Sequence, residues 1–467
     1  MHPSLIRSRC FLILPSLLGF GLFACVGGDT GLSGGPIVLG LTQDSASIWL
    51  RTNQPGEVRI EWNNINDSED SGTVSSQSSM QSDLSNVLNL GGLLPDTCYE
   101  YEIQVGEVRE PISDDLRFCT LSPTVASLKI GLLGDLDKRL SIEAAAIGML
   151  ADRQPNLLLL IGDWDHRDPI SLEQFRLMHL ENRTSRKLAA RPLINRIFSR
   201  IPVAYVWDDH DYGENNSDRF SSTREQALRA YAEYWPTDDL PNAAAGIWRS
   251  LQYGDLVEVF MLDTRSQRDP DTYRDPRFVP DGEVGSNRGV LRNDPFRSML
   301  DGAAQPEGLS TGQKSWLKVS LLTSPSIWKI IVSSVTWNNT TIKDDAWWDF
   351  QAERDEIVSF IRSNGITGII FVSADIHTGG GIDDGTNADF PEVSIPSANL
   401  NPDENGRSTC AIHPSLERTL RTSCGLWSQG LHDHGSGYGL LTLDRDTAFI
   451  ETVNLLGGVT SLSISRQ

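Results

Sequence analysis

Basic residues are scarce in this chain: 40 lysines and arginines stand against 62 aspartates and glutamates, a formal net charge of −22 over 467 residues. That balance excludes a general nucleic-acid binder, whose affinity comes from replacing counterions with basic side chains. Otherwise it reports solubility rather than function. Long apolar runs are scarce as well, and after Phe23 no stretch could span a bilayer. Cysteine is limited to six, with no C-x-x-C pair to suggest a zinc site. No nucleophile elbow joins a strand to a helix and no Walker loop is present, so neither a covalent serine hydrolase nor an NTPase is supported. What remains is an ordinary globular composition, 39% hydrophobic and 22% charged, long enough for two or three domains with real cores.

The first residues read as an address. Arg7 and Arg9 precede an apolar run from Phe11 to Phe23, followed by Ala24-Cys25. This is the pattern of a secretory signal over residues 1–24. Leu22-Phe23-Ala24-Cys25 is also similar to a bacterial lipobox, with Cys25 as the lipidated residue, the one expected link to a membrane. The Gly-rich residues 25–35 would form a flexible tether. The expected destination is the bacterial periplasm or cell surface. In an oxidising compartment Cys98/Cys119 and Cys410/Cys424 are expected disulfides. Tyr99, Tyr101, Ile103 and Val105 alternate with Cys98, and Leu116 and Phe118 with Cys119. Both cysteines therefore fall on the non-core faces of their strands, where a cross-strand bridge fits.

Two modules follow. Residues 36–122 read as short strands spaced by turns, Ser47–Leu50 and Val58–Trp62 among them, with a polar loop from Asn63 to Gln77. This predicts a small all-β domain of immunoglobulin or fibronectin type. Residues 127–467 alternate strands (128–133, 157–161, 202–207, 256–262, 328–335, 369–373) with helices (141–151, 222–234, 313–322, 350–364), a layered α/β domain. The 222–234 helix is expected to open on a Ser222/Glu225 capping box.

Chemistry collects where these strands end. They run out into Gly134-Asp135-Leu136-Asp137, Gly162-Asp163-Trp164-Asp165-His166, Trp207-Asp208-Asp209-His210-Asp211 and Ala374-Asp375-Ile376-His377. In open α/β sheets ligands bind beyond the carboxyl ends of strands. An aspartate there is often only a turn former. Four such clusters in one domain point instead to carboxylates converging on cations, because unpartnered they would repel. Asp135, Asp163, Asp209, Asp375 and His377 are the leading metal-ligand candidates, joined by Asp137 and His166. Oxygen ligands with some imidazole suit iron, zinc, manganese, magnesium or calcium.

Trp207-Asp208-Asp209-His210-Asp211-Tyr212-Gly213, followed by Asn215 and Asn216, resembles the Trp-Asp-Asp-His signature of PhoD-like alkaline phosphatases. Supporting similarities run through Gly162-Asp163, Leu262-Asp263-Thr264-Arg265, Gln313–Leu317, Asp345–Trp348 with Glu353-Arg354, and Ser373–His377. The resemblance implies a calcineurin-like metallophosphoesterase sandwich and two or more metal ions, iron and/or calcium. Leu133-Gly134-Asp135 stands where that family has Gly-Ser-Cys, and His166 where it has an iron-binding tyrosine. An oxygen ligand and an imidazole thus replace a thiolate and a phenolate, closer to the wider calcineurin-type enzymes. His432-Asp433-His434 is similar to that superfamily's late Gly-His-x-His, with Leu431 in place of the glycine, and adds His432 and His434 as candidates.

The expected activity is hydrolysis of phosphate monoesters, diesters or phospholipids by metal-activated water. His210 would bind metal or protonate the leaving group, and Asn215 or Asn216 would hold phosphate or metal. The alternative is a non-catalytic surface lipoprotein whose degenerate phosphatase domain binds metal or glycans.

Overall fold

The computed structural model describes residues 31–110, 116–136, 140–183, 197–237, 240–243, 245–271, 293–302, 312–341, 345–398, 424–432 and 435–466. The expected signal over residues 1–24, Cys25, Cys410, Asp137 and His434 lie outside them.

The amino-terminal unit is built from eight strands: β1 (Leu32–Leu41), β2 (Ser45–Thr52), β3 (Gly56–Asn64), β4 (Asp67–Ser78), β5 (Ser85–Gly91), β6 (Cys98–Val105), β7 (Val108–Arg109) and β8 (Arg117–Cys119). Strands β1, β2 and β5 form one sheet; β4, β3, β6, β7 and β8 form the other. Their facing side chains, among them Val38, Ile48, Leu50, Ile60, Leu88 and Tyr101, make one core. Two expectations change here. The expected tether runs into β1, since Leu32 and Gly34 pair with Thr52 and Arg51. The expected polar loop is the twelve-residue strand β4, paired with β3 along its length. Its side chains are mostly exposed, so no apolar periodicity marks it, and Gly72 lets Trp62 close onto its backbone. Cys98 and Cys119 lie directly opposite on β6 and β8, with Cα atoms 3.9 Å apart, and are bridged.

The second unit stacks two sheets. One runs β11 (Val203–Val206), β10 (Leu157–Ile161), β9 (Ser127–Leu133), β19 (Gly437–Asp444), β20 (Thr447–Asn454), β21 (Val459–Ser465). The other runs β12 (Arg249–Tyr253), β13 (Val257–Met261), β14 (Trp328–Val332), β15 (Ile369–Ser373), β17 (Pro391–Ser394), β16 (Gly381–Asp384), β18 (Gly430–Leu431). Ile130, Leu132, Leu157 and Leu159 from the first meet Val259, Ile330, Val332 and Val372 from the second in one core. Helices α1 (Leu140–Asp152) and α2 (Leu172–Arg183) cover the first sheet. Helices α5 (Gln313–Thr323) and α6 (Gln351–Ser363) cover the second through Leu317, Leu321, Ile357 and Ile361. Strands β10, β13, β14 and β15 are buried on both faces, hence their continuous apolar runs. No described helix is long and apolar enough to cross a membrane.

Between β11 and β12 lie α3 (Asp209–Tyr212) and α4 (Arg224–Tyr234). The expected Ser222/Glu225 capping box is absent: Thr223 is the N-cap, and its hydroxyl donates to Tyr212 O, 3.0 Å. That longer-range bond ties α4 to the turn carrying the Trp-Asp-Asp-His motif. The two units are docked, with Trp49 Nε1 donating to Glu233 O (3.0 Å) and Tyr101 Oη to Ser199 O (2.8 Å).

Candidate metal centre

β9, β10 and β11 are parallel, as are β13, β14 and β15, and both sheets present their carboxyl ends on one side. Asp135, Asp163, Asp209, Asp375 and His377 leave those ends together. Gly162 makes the approach possible. Its φ is +70°, and a Cβ there would stand 2.5 Å from Asp208 Cβ.

Three sets of ligand atoms converge to within 4.8 Å: Asp163 with His166 and His210, Asp163 with Asp135 and His377, and Asp163 with Asp208 and Asp209. Asp163 is common to all three. It is fully buried, and neither of its carboxylate oxygens accepts a hydrogen bond. His166 Nε2 comes within 2.9 Å of Oδ2 without hydrogen-bond alignment. Burial, reinforced by the charge on Asp209, holds the Asp163 carboxyl well above the usual carboxylate range. Buried oxygens left in this state, with imidazoles facing them, are a donor set that cations would complete. Burial opposes the His166 imidazolium, but the charges of Asp163 and Asp135 outweigh it and raise its pKa to about 10. A cation here therefore competes with that proton.

Asp375 and His377 face each other at 3.6 Å, and His377 lies 3.9 Å from Asp135. Asp135, Asp163, Asp375 and His377 all have positive φ, between 47° and 61°. Left-handed backbone at four such residues in one place is the strain that accumulates at functional sites.

Around this cluster lies a frame that the sequence did not assign. Arg265, fully buried, donates through Nε and Nη2 to Asp208 (Nη2–Oδ2 2.9 Å) and reaches Asp345 at 3.2 Å, Asp209 at 3.6 Å and Asp375 at 3.6 Å. Ser334 also donates to Asp208, 2.6 Å. Burial pushes the Asp209 carboxyl up, yet Arg265 and His210 overcome it and bring it to about 2. Asp209 Oδ2 accepts the backbone N–H of Asn216 at 2.6 Å. Asn215 itself lies exposed on the turn. His210 Nδ1 contacts Asp168 Oδ1 at 2.6 Å, a partner no motif singled out. His432 stands apart from the cluster: its backbone pairs with Gly379 and Gly380, and its Nε2 lies 3.1 Å from Thr460 Oγ1 on β21. The register of that segment turns the ring toward the strand behind it. The remaining motif residues build scaffold. Gln313 brackets the Asp263 backbone, and Glu353 accepts the Met299 amide and the Ser298 hydroxyl.

Residues 150–398 match the family model for PhoD-like phosphatases, over half the chain. The chain belongs to the PhoD-like phosphatase family. Residues 29–120 match a second model, a domain of unknown function (DUF7800). Alkaline phosphatase D of Bacillus subtilis (strain 168) is 25% identical over an alignment covering 44% of this chain and 35% of that protein, about a third of its length. Among solved structures, one titled as PhoD superposes with TM-score 0.70 at 18% identity, covering 92% of this chain and 90% of that one. Purple acid phosphatase PPD1 from yellow lupin (Lupinus luteus) superposes with TM-score 0.60 at 13% identity, over 94% and 75%. At these identities the two superpositions establish the shared metallophosphoesterase-like fold of this PhoD-like chain.

Proposed function

We propose that this PhoD-like protein is a metal-dependent phosphoric ester hydrolase acting on monoesters, diesters or both. The observation carrying this reading is Asp163, shared by three convergent ligand sets and left without a hydrogen bond on either oxygen. Asp135, Asp163, His166, Asp208, Asp209 and His377 would hold two or more cations. When bound, these would polarise the phosphoryl oxygens and lower the pKa of water. Arg265 keeps Asp208, Asp209 and Asp375 in place, which limits reorganisation as charge develops. Asp168 holds His210 by Nδ1, so Nε2 is the atom that carries a proton to the leaving oxygen. The oxygen-rich set, with no cysteine, favours hard divalent ions, manganese, magnesium, zinc or calcium, beside iron.

The same reading takes the amino-terminal unit as an immunoglobulin-type sandwich, residues 1–24 as an export signal with a lipid on Cys25, and Cys410–Cys424 as a second disulfide. Elemental analysis of the purified chain, with p-nitrophenyl phosphate and bis-p-nitrophenyl phosphate as substrates, tests the enzyme. Asp209→Asn should lower turnover more than about 100-fold with the fold retained by circular dichroism. A fully active Asp209→Asn variant would remove the metal assignment.

A further inference from the structure

The strands that carry the metal groups at their carboxyl ends open at their other ends on a second cavity. Between the β1–β2–β5 sheet and the starts of β10 and β11, beside edge strand β12, lies a cleft of about 590 Å3. Ser45, Ser47 and Asn89 line it from the amino-terminal unit; Leu157, Val203 and Leu251 line it from the other. A Cβ at Gly40, on its wall, would meet nothing within 4 Å, so the space is open there. None of the described residues lining it is acidic, in a chain with 62 acids.

Arg249 is the single charge among those described residues. The side chain is 5% exposed, Nη1 donates to Tyr231 Oη at 2.5 Å, and buried Nε has no partner. Tyr231 cannot supply a counter-charge, since its own hydroxyl proton goes to Tyr205 O, 2.8 Å away. No carboxylate among the described residues pairs with this guanidinium. A desolvated cation in that position is unfavourable until an anion reaches it, and the guanidinium fork matches a carboxylate or phosphate. Asn89 adds a donor. Its Oδ1 accepts the Ser47 hydroxyl at 2.8 Å, which leaves the amide N–H groups to the cleft. The volume exceeds what inorganic phosphate fills, and part of the lining is aliphatic.

We propose that this cleft binds a small organic anion, its carboxylate or phosphate on Arg249 and its apolar part against Leu157, Val203 and Leu251. Its apolar wall lies at the starts of β10 and β11, away from Asp163 and Asp209, while Arg249 pairs with Met261 at the carboxyl end of β13; no metal-ligand candidate lines the cleft, and binding there does not depend on them.

Isothermal titration of the full chain with hexanoate, phenylphosphonate and inorganic phosphate tests it, and the tighter organic probe identifies the head group. At least one organic probe should bind more tightly than inorganic phosphate. That binding should persist in Asp209→Asn and weaken at least tenfold in both Arg249→Gln and Asn89→Asp. Asn89 is exposed, and an aspartate there keeps the Ser47 bond, so Asn89→Asp serves even if Arg249→Gln folds poorly. The proposal is overturned if no organic probe binds, if inorganic phosphate binds best, or if Asn89→Asp leaves binding unchanged. Loss of binding in Asp209→Asn alone would place the anion at the metal centre and equally overturn it.

Discussion

Arg265 and Arg249 are both buried, Arg249 paired with Met261 across β12 and β13 and Arg265 just beyond the end of β13, yet their surroundings differ in kind. Arg265 is ringed by Asp208, Asp209, Asp345 and Asp375. Arg249 has a tyrosine hydroxyl and an open cleft. Where acids must converge to serve as ligands, an internal guanidinium offsets their repulsion and keeps them in register before any cation arrives. Where none of the described acids converges, the same side chain is under-compensated and suits a ligand from outside. Burial alone therefore does not say what a charge is for; the count of opposing charges does.

The sharpest way to break this contrast is to remove each guanidinium in turn. Arg265→Gln leaves buried carboxylates uncompensated and should cost about 3–5 kcal/mol in urea unfolding. Arg249→Gln forfeits one hydrogen bond and should cost about 1 kcal/mol; equal costs would erase the distinction. Next in size is the Cys98–Cys119 bridge, which closes a 21-residue separation and is worth roughly 3 kcal/mol. It joins β6 and β8, in the sheet that does not line the cleft. Cys98→Ser with Cys119→Ser should lower the melting temperature and leave both turnover and anion binding unchanged.

A third buried charge extends the comparison. Glu392, on β17, is raised to about 7 by burial, against which the Ser373 hydroxyl and Trp337 amide work only in part. Its folded pKa lies above the unfolded value, so the penalty for ionising it is absent below about pH 4.5, grows as pH rises, and is complete above about pH 7. Glu392→Gln keeps both acceptor contacts and removes the penalty, on the order of 3 kcal/mol. Its melting temperature should pull ahead of the parent between pH 5 and pH 8; a constant difference would show that Glu392 does not titrate there.

Much of the candidate metal centre was legible because strands buried on both faces are continuous apolar runs, and acid-bearing clusters recur at four of their ends. Asp135, Asp163, Asp209, Asp375 and His377 follow from that local pattern. Arg265, Asp345 and Asp168 do not, because their meaning lies in contacts with residues distant in sequence, 57 positions away for Arg265 and Asp208. His432, also proposed from a motif, has its ring beside Thr460, a contact that no local pattern indicates. In the fold, the layered unit was readable from periodicity. Strand β4 was not, since a strand exposed along most of its length carries no apolar alternation, and the capping pattern at Ser222 gave way to a bond between Thr223 and Tyr212.

The left-handed backbone at Asp135, Asp163, Asp375 and His377 has a consequence for heredity. Each such residue costs the native state about 1 kcal/mol or more that a glycine would not. A population of this protein selected for heat resistance alone would thus shed these positions early, and its hardiest descendants would be inert.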